Sequence, residues 1–148
     1  MADLKTQIGA NAELVTAADE LRRKVFIDEQ GVPEDEVIDR SNSESVHAVV
    51  FDCNTPVATA KVIMLDGGNY RIGLVAVDKS RRGQHLGERV MRAAMDYIFL
   101  YDGKTVFLTA QRQVVGFYEK LGFEQCGAAE YLESGFVLVP MRCMNGTV

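Results

Sequence analysis

The run from Val75 to Tyr97 constrains this chain more than any other stretch. It reads Val75-Ala76-Val77-Asp78, then Lys79-Ser80-Arg81-Arg82-Gly83-Gln84-His85, then Leu86-Gly87-Glu88 onward. The apolar residues before Asp78 predict a short strand. Leu86, Val90, Ala93, Ala94 and Tyr97 recur at helical spacing and predict an amphipathic helix from Leu86. A strand, a basic turn carrying a glycine, and a helix start in that order make an anion site. The first-turn N–H groups of the helix point outward, the macrodipole adds partial positive charge, and glycine lets a phosphate approach the main chain. Arg81 and Arg82 add fixed charge suited to phosphate. A charged strand-to-helix turn with no ligand has the same composition, so this stretch alone does not decide between them.

The chain has 148 residues, enough for one domain with a full core. Hydrophobic residues make up 47% and charged residues 25%, as in ordinary globular proteins. A formal net charge of −5 argues against a nucleic-acid partner, whose phosphates call for a basic face, and is compatible with a cationic amine substrate. Cys53, Cys126 and Cys143 are odd in number and lack C-x-x-C spacing, so neither a zinc site nor a disulfide framework follows. With no apolar leader after Met1 and no long apolar run, the expectation is a cytoplasmic protein off the membrane, with no metal.

Taken in order, Leu4 to Ile8 predicts a first strand, and Asn11 to Gln30 a helix ended by Gly31 and Pro33. Val32 to Asp39 carries four carboxylates and reads as a solvated loop that could fold over a cleft. Val46–Phe51, Val57–Leu65 and Tyr70–Val77 predict three consecutive antiparallel strands, with Asp66-Gly67-Gly68-Asn69 as a turn. Gly73 marks a bulge or a close backbone approach in the third. The helix from Leu86 ends near Tyr101. A strand from Thr105 to Ala110, a helix from Arg112 to Leu121 closed by Gly122, a strand from Phe123, a loop from Gly127 to Ser134 and a last strand from Gly135 to Met144 follow. Pro140 predicts that this last strand is bent or at an edge. The class is α+β around one mixed sheet of about seven strands. A dinucleotide-binding fold is excluded because the strands preceding the loop form no βαβ unit.

Arg82-Gly83-Gln84-His85-Leu86-Gly87 resembles the acyl-CoA pyrophosphate loop of the GNAT superfamily of N-acetyltransferases, with Arg82 and Gly87 matching and His85 standing at the usual first glycine. Tyr118-Glu119-Lys120-Leu121-Gly122-Phe123 matches a second signature of that superfamily, in the same order along the chain; Gln111 replaces its Asn and Val114 its Ala. Val25-Phe26-Ile27-Asp28-Glu29-Gln30-Gly31-Val32-Pro33 is similar to the first-helix segment of the small bacterial ElaA-type branch. Two departures from that branch are Gly73-Leu74 in place of Glu-Arg, and Val137-Leu138 after Gly135 in place of Pro-His.

The resemblance implies a GNAT-like fold with helices flanking a mostly antiparallel sheet and strands 4 and 5 splayed, here Leu74–Val77 and Phe107–Ala110. It implies acetyl-CoA as co-substrate, held by Val75, Val77, Arg82, Gly83, Gln84, His85, Leu86, Gly87, Gln111, Val114 and Tyr118. A backbone N–H among Val75, Ala76 and Val77 would polarise the thioester carbonyl. Tyr118 would be the general acid, since a phenol titrating at about 10 can protonate a thiolate whose thiol titrates at about 8.5. The base stays open among Glu29, Glu36, Asp39 and His47, or water, and these four are also the candidate acceptor-binding residues. The expected reaction is acetyl transfer to a primary amine of a small molecule by direct attack. The alternative is an acyl-CoA-binding module without catalysis, motivated by His85 and Gly73-Leu74. Pairing through the final strands would make a homodimer.

Overall fold

The computed structural model describes residues 3–146. They form two compact units, Met1–Ile63 with Ile72–Tyr97, and Met64–Arg71 with Ile98–Val148.

In the first unit the strand order is β1 (Leu4–Gly9), β2 (Val46–Asp52), β3 (Thr55–Met64), β4 (Asn69–Val77), the last entering this unit at Ile72. β1 pairs antiparallel with β2 from Leu4↔Asp52 to Gly9↔His47, and β2 with β3 from Val46↔Val62 to Asp52↔Thr55. The turn between them places Cys53 at φ 55, and the Cys53 amide donates to the Asp3 carbonyl at 3.0 Å.

Helix α1 (Ala12–Arg22) starts where Asn11 accepts the Leu14 amide on its side-chain oxygen at 2.9 Å. Leu14 and Ala18, at helical spacing, are buried against Val49, with Ala17 and Phe51 beside them. Leu21 and Val25 pack with Ala76 and Phe26. From Arg23 to Glu29 the helix widens into a π-helical segment. It closes at Gly31, φ 72, with the Gly31 amide on the Ile27 carbonyl and the Val32 amide on the Phe26 carbonyl, at 3.0 and 2.8 Å. The expected helix is therefore present to its predicted end, but its second half is a π-helix, which side-chain periodicity did not show.

In the second unit the first three residues of β4 pair in parallel with β5 (Thr105–Gln111), Asn69↔Thr105 to Arg71↔Phe107. β8 (Val137–Met144) runs antiparallel to all of β5 and also takes β6 (Glu124–Gln125) and β7 (Glu130–Tyr131). On β5, Val106, Leu108 and Ala110 are buried, as are Val139, Met141 and Cys143 on β8, the alternation of strands with one face in a core. Helix α2 (Leu86–Leu100) ends where Asp102 turns to φ 61 and the Gly103 amide reaches the Ile98 carbonyl at 2.9 Å.

Three expectations need correction here. Among the described residues the strands number eight where about seven were expected, because Glu130–Tyr131 pairs with β8 inside the stretch read as a loop. The helix expected over residues 112–121 is a 3₁₀ turn, Arg112–Val114, followed by the short α3 (Val115–Glu119). Pro140 lies in a strand paired on both sides, not at an edge: it faces Thr109 of β5, and its carbonyl accepts the Cys126 amide at 2.9 Å. A proline carbonyl is a full acceptor, so the missing donor does not bar the strand from pairing.

Candidate active site

The loop after β4 is built from its first residue. Asp78, nearly buried, accepts the Ser80 amide at 3.0 Å, and its main-chain carbonyl accepts the Arg81 amide at 2.9 Å. Burial pushes the Asp78 carboxyl up; the Ser80 amide, the Lys24 ammonium at 3.1 Å and the Ser80 hydroxyl outweigh it and hold the group below its usual range. The turn is thus anchored before the basic residues begin.

Arg82 is held by a bidentate pair with Glu29, at 2.7 and 2.9 Å, and donates to the Val77 carbonyl at 3.1 Å. This bonding lowers the Glu29 carboxyl and raises the Arg82 guanidinium. Both Lys24 and Glu29 come from the π-helical segment, whose i→i+5 bonding brings residues five apart to one side. Arg81 pairs instead with Asp52 at 2.7 Å.

Gly83 has φ 83, and a Cβ built there meets nothing within 4 Å. His85 has φ 60, a left-handed conformation that a histidine tolerates better than most side chains. The position where the superfamily usually carries glycine therefore keeps glycine-like backbone geometry with histidine in place. The Arg89 amide donates to the His85 carbonyl at 3.1 Å, the first bond of α2. The amides of Leu86, Gly87 and Glu88 then have no acceptor inside the helix, and the positive end of its dipole lies at the same turn.

Upstream, Leu74 sits at φ 47 in the interior of β4. The irregularity expected from Gly73 is present, one residue later. The Leu74 carbonyl accepts Nε of Arg22 at 3.3 Å. Arg22 is fully buried on α1, and the same burial pushes its guanidinium down to about 10.

The second unit holds Gln111, Val114 and Tyr118. Gln111 ends β5 opposite Leu138 and accepts from the side chain of Gln113. Val114 is exposed in the 3₁₀ turn before α3. Tyr118, on α3, packs edge-on to Phe117 and Phe123 with ring centroids 5.0 and 6.0 Å away, and burial raises its phenol above 10.0. Its main-chain carbonyl accepts the amides of Leu121 and Phe123, which turns the chain at Gly122, φ 100.

Of the four candidate bases, Asp39 and His47 both bond to Asn42, through the Asp39 main-chain carbonyl and the His47 ring. Glu29 is engaged with Arg82. Glu36 is exposed in a 3₁₀ turn, Glu34–Glu36. Asp39 caps the next turn, and the Ser41 hydroxyl it accepts holds its carboxyl low. His47 is fully buried: Nε2 is 2.6 Å from the Asn42 carbonyl and Nδ1 is 3.0 Å from a guanidinium nitrogen of Arg22. Sequence reasoning missed the buried cations, Arg22 and Lys61. Their signal was present, since Arg22 falls next to the apolar stripe Ala18-Leu21-Val25 and Lys61 interrupts the apolar run Val57–Met64.

A model of the family described as "Acetyltransferase (GNAT) domain" matches residues 10–144 and runs through both units. The N-acetyltransferase YjcF of Bacillus subtilis strain 168, itself uncharacterized, is 34% identical over 132 residues, covering 89% of this chain and 94% of its own. The crystal structure of Escherichia coli ElaA superposes with a TM-score of 0.81 at 23% identity, over 97% of this chain and 99% of that one. An aminoglycoside 6'-N-acetyltransferase complexed with coenzyme A superposes with a TM-score of 0.75 at 18% identity, over 96% of each chain. The chain belongs to the GNAT acetyltransferase family, and is an enzyme with the mixed, helix-flanked sheet of that fold in which strands 4 and 5 run parallel.

Proposed function

We propose that this protein is a single-domain, cytoplasmic N-acetyltransferase that uses acetyl-CoA, without a metal, to acetylate a primary amine of a small molecule. The observation that carries the reading is the loop from Arg82 to Gly87: left-handed His85 and open-sided Gly83 lead into a helix whose first amides have no internal acceptor. Those amides suit the diphosphate of coenzyme A. Arg82, neutralised by Glu29, shapes the loop more than it supplies charge.

In this reading a main-chain N–H among Val75, Ala76 and Val77 polarises the thioester carbonyl. Gln111 and Val114, at the end of β5 and in the turn after it, contact the co-substrate arm in this reading. Tyr118 returns a proton to the departing thiolate, and its burial keeps the phenol protonated through the neutral range. A neutral amine attacks directly. Glu29, Asp39 and His47 each already serve a neighbouring group, leaving exposed Glu36 as the carboxylate freest to meet a cationic acceptor. The free thiols of Cys53, Cys126 and Cys143 agree with a reducing compartment, and no helix among the described residues is long and apolar enough to cross a membrane.

The test is thiol release from acetyl-CoA across a panel of amines. Turnover with at least one primary amine is expected, with Tyr118→Phe lowering kcat by about 10²–10⁴-fold while coenzyme A still binds. Coenzyme A binding with no thiol release from any amine would reject catalysis of this kind. Unchanged kcat in Tyr118→Phe would reject the acid.

A further inference from the structure

We infer that Arg22 is a positioning residue that sets the direction of the Val75 amide by gripping the Leu74 carbonyl. The inference rests on the reading that a main-chain N–H among Val75–Val77 polarises the thioester, and takes it to be that of Val75. The Leu74 carbonyl and the Val75 N–H belong to one trans peptide, a rigid plane in which the two groups point in opposite directions. Whatever fixes the carbonyl fixes the amide. Nε of Arg22 lies 3.3 Å from that carbonyl, so the Val75 N–H is directed away from Arg22. A cation bonded to the carbonyl also polarises the peptide and strengthens its N–H as a donor.

Leu74 needs such a hold. Left-handed backbone brings the Cβ of an L residue against the following carbonyl, and it persists only where surrounding contacts over-determine it. Arg22 is in turn fixed from several sides. One guanidinium nitrogen meets Nδ1 of His47 at 3.0 Å and Asp19 at 3.5 Å. The other terminal nitrogen has no partner among the described residues. With the His47 ring donating from Nε2 to the Asn42 carbonyl, Nδ1 is left as the acceptor Arg22 requires. The Asn42 side chain donates to Asp19 at 2.8 Å and to the Val37 carbonyl at 3.0 Å, and Lys61 donates to the Asn42 side-chain oxygen at 2.8 Å. Apolar packing would stabilise the unit at lower desolvation cost than this network does. What apolar packing could not do is hold a carbonyl.

The test uses the full chain. The Leu74 Cα and Cβ chemical shifts report its backbone conformation with no substrate present. Arg22→Lys keeps the charge but not the reach of the guanidinium; it is expected to move those shifts toward extended values and to lower kcat by about 10–10²-fold. Coenzyme A affinity is expected to stay within about twofold, because the diphosphate loop is untouched. Placed on Leu74→Gly, which adopts φ 47 without strain, the same substitution is expected to cost less, a coupling a merely structural arginine would not show. His47→Leu, which leaves Arg22 in place but removes its imidazole acceptor, is the second variant should Arg22→Lys not fold, and is expected to shift Leu74 the same way by less. Leu74 signals unmoved in the folded variant overturn the inference. Moved signals with unchanged kcat overturn instead the Val75 reading beneath it.

Discussion

A histidine at φ 60 explains how this chain carries the loop without the glycine usual at that point. Histidine reaches the left-handed region at tolerable cost, and His85 is exposed, so its ring need not fit a pocket. Backbone shape, not side-chain identity, is then what the position supplies. His85→Gly is expected to leave coenzyme A affinity unchanged, whereas His85→Val, whose branched Cβ is penalised there by about 1–3 kcal/mol, is expected to weaken it. Calorimetric titration of the two variants checks this. The sequence showed that His85 departs from the pattern, but a one-letter code carries no dihedral angle, so it could not show that the geometry survives. His47 is a related case. An imidazole in an apolar strand is more often structural than catalytic, and its two occupied nitrogens agree with the structural role.

At the level of elements, the π-helical segment Arg23–Glu29 ties the first helix to the loop after β4 through Lys24–Asp78 and Glu29–Arg82. Glu29→Gln keeps the shape but removes the charge from the bidentate pair. Since exposed pairs contribute little to stability, the melting temperature is expected to change hardly at all, while coenzyme A affinity falls by about two- to fivefold as Arg82 loosens. Equal affinity in the two proteins would count against a loop-holding role. Strands, the main helices and their order were legible from periodicity and turn residues, because those follow from local sterics and burial. The π turn, the two-residue strand Glu130–Tyr131 and the shortness of α3 were not. β7 is the first arm of a tight hairpin with Val137 and Leu138, closed by the Leu132 and Gly135 amides, and two residues are too few to show an alternation. Gly73 pointed to the right place in β4, but the buried arginine bonded to the next residue comes from α1, beyond the reach of any local pattern.

For the molecule as a whole, acidification should act in two stages. Burial lowers the His47 pKa below its ordinary 6.5, so at pH values beneath that point the unfolded chain binds a proton that the folded one refuses. Its contribution to stability is complete above about 6.5 and is lost as pH falls, at up to about 1.4 kcal/mol per pH unit. Burial is the main cause of the lowered pKa; Arg22 and Lys61 act with it, and the Asn42 carbonyl and Asp19 oppose it. Melting temperature is expected to decline from pH 7 to pH 5, and His47→Gln to flatten that decline. A second loss follows below about pH 4. Asp39, Asp52, Asp78 and Glu29 all sit below their usual values in the fold, so their stabilisation is present above the unfolded range and disappears as pH drops through the folded one.

β8 is the strand on which β5, β6 and β7 all lie in the second unit, and it follows every one of them in the chain. On a ribosome adding about 5–20 residues each second, β1, β2 and β3 can find one another early. The short β6 and β7 must wait for Val137–Met144 to emerge before either has an edge to join. Vectorial synthesis thus leaves the unit that carries Tyr118 open along this edge, with β5, β6 and β7 unjoined, until β8 has emerged.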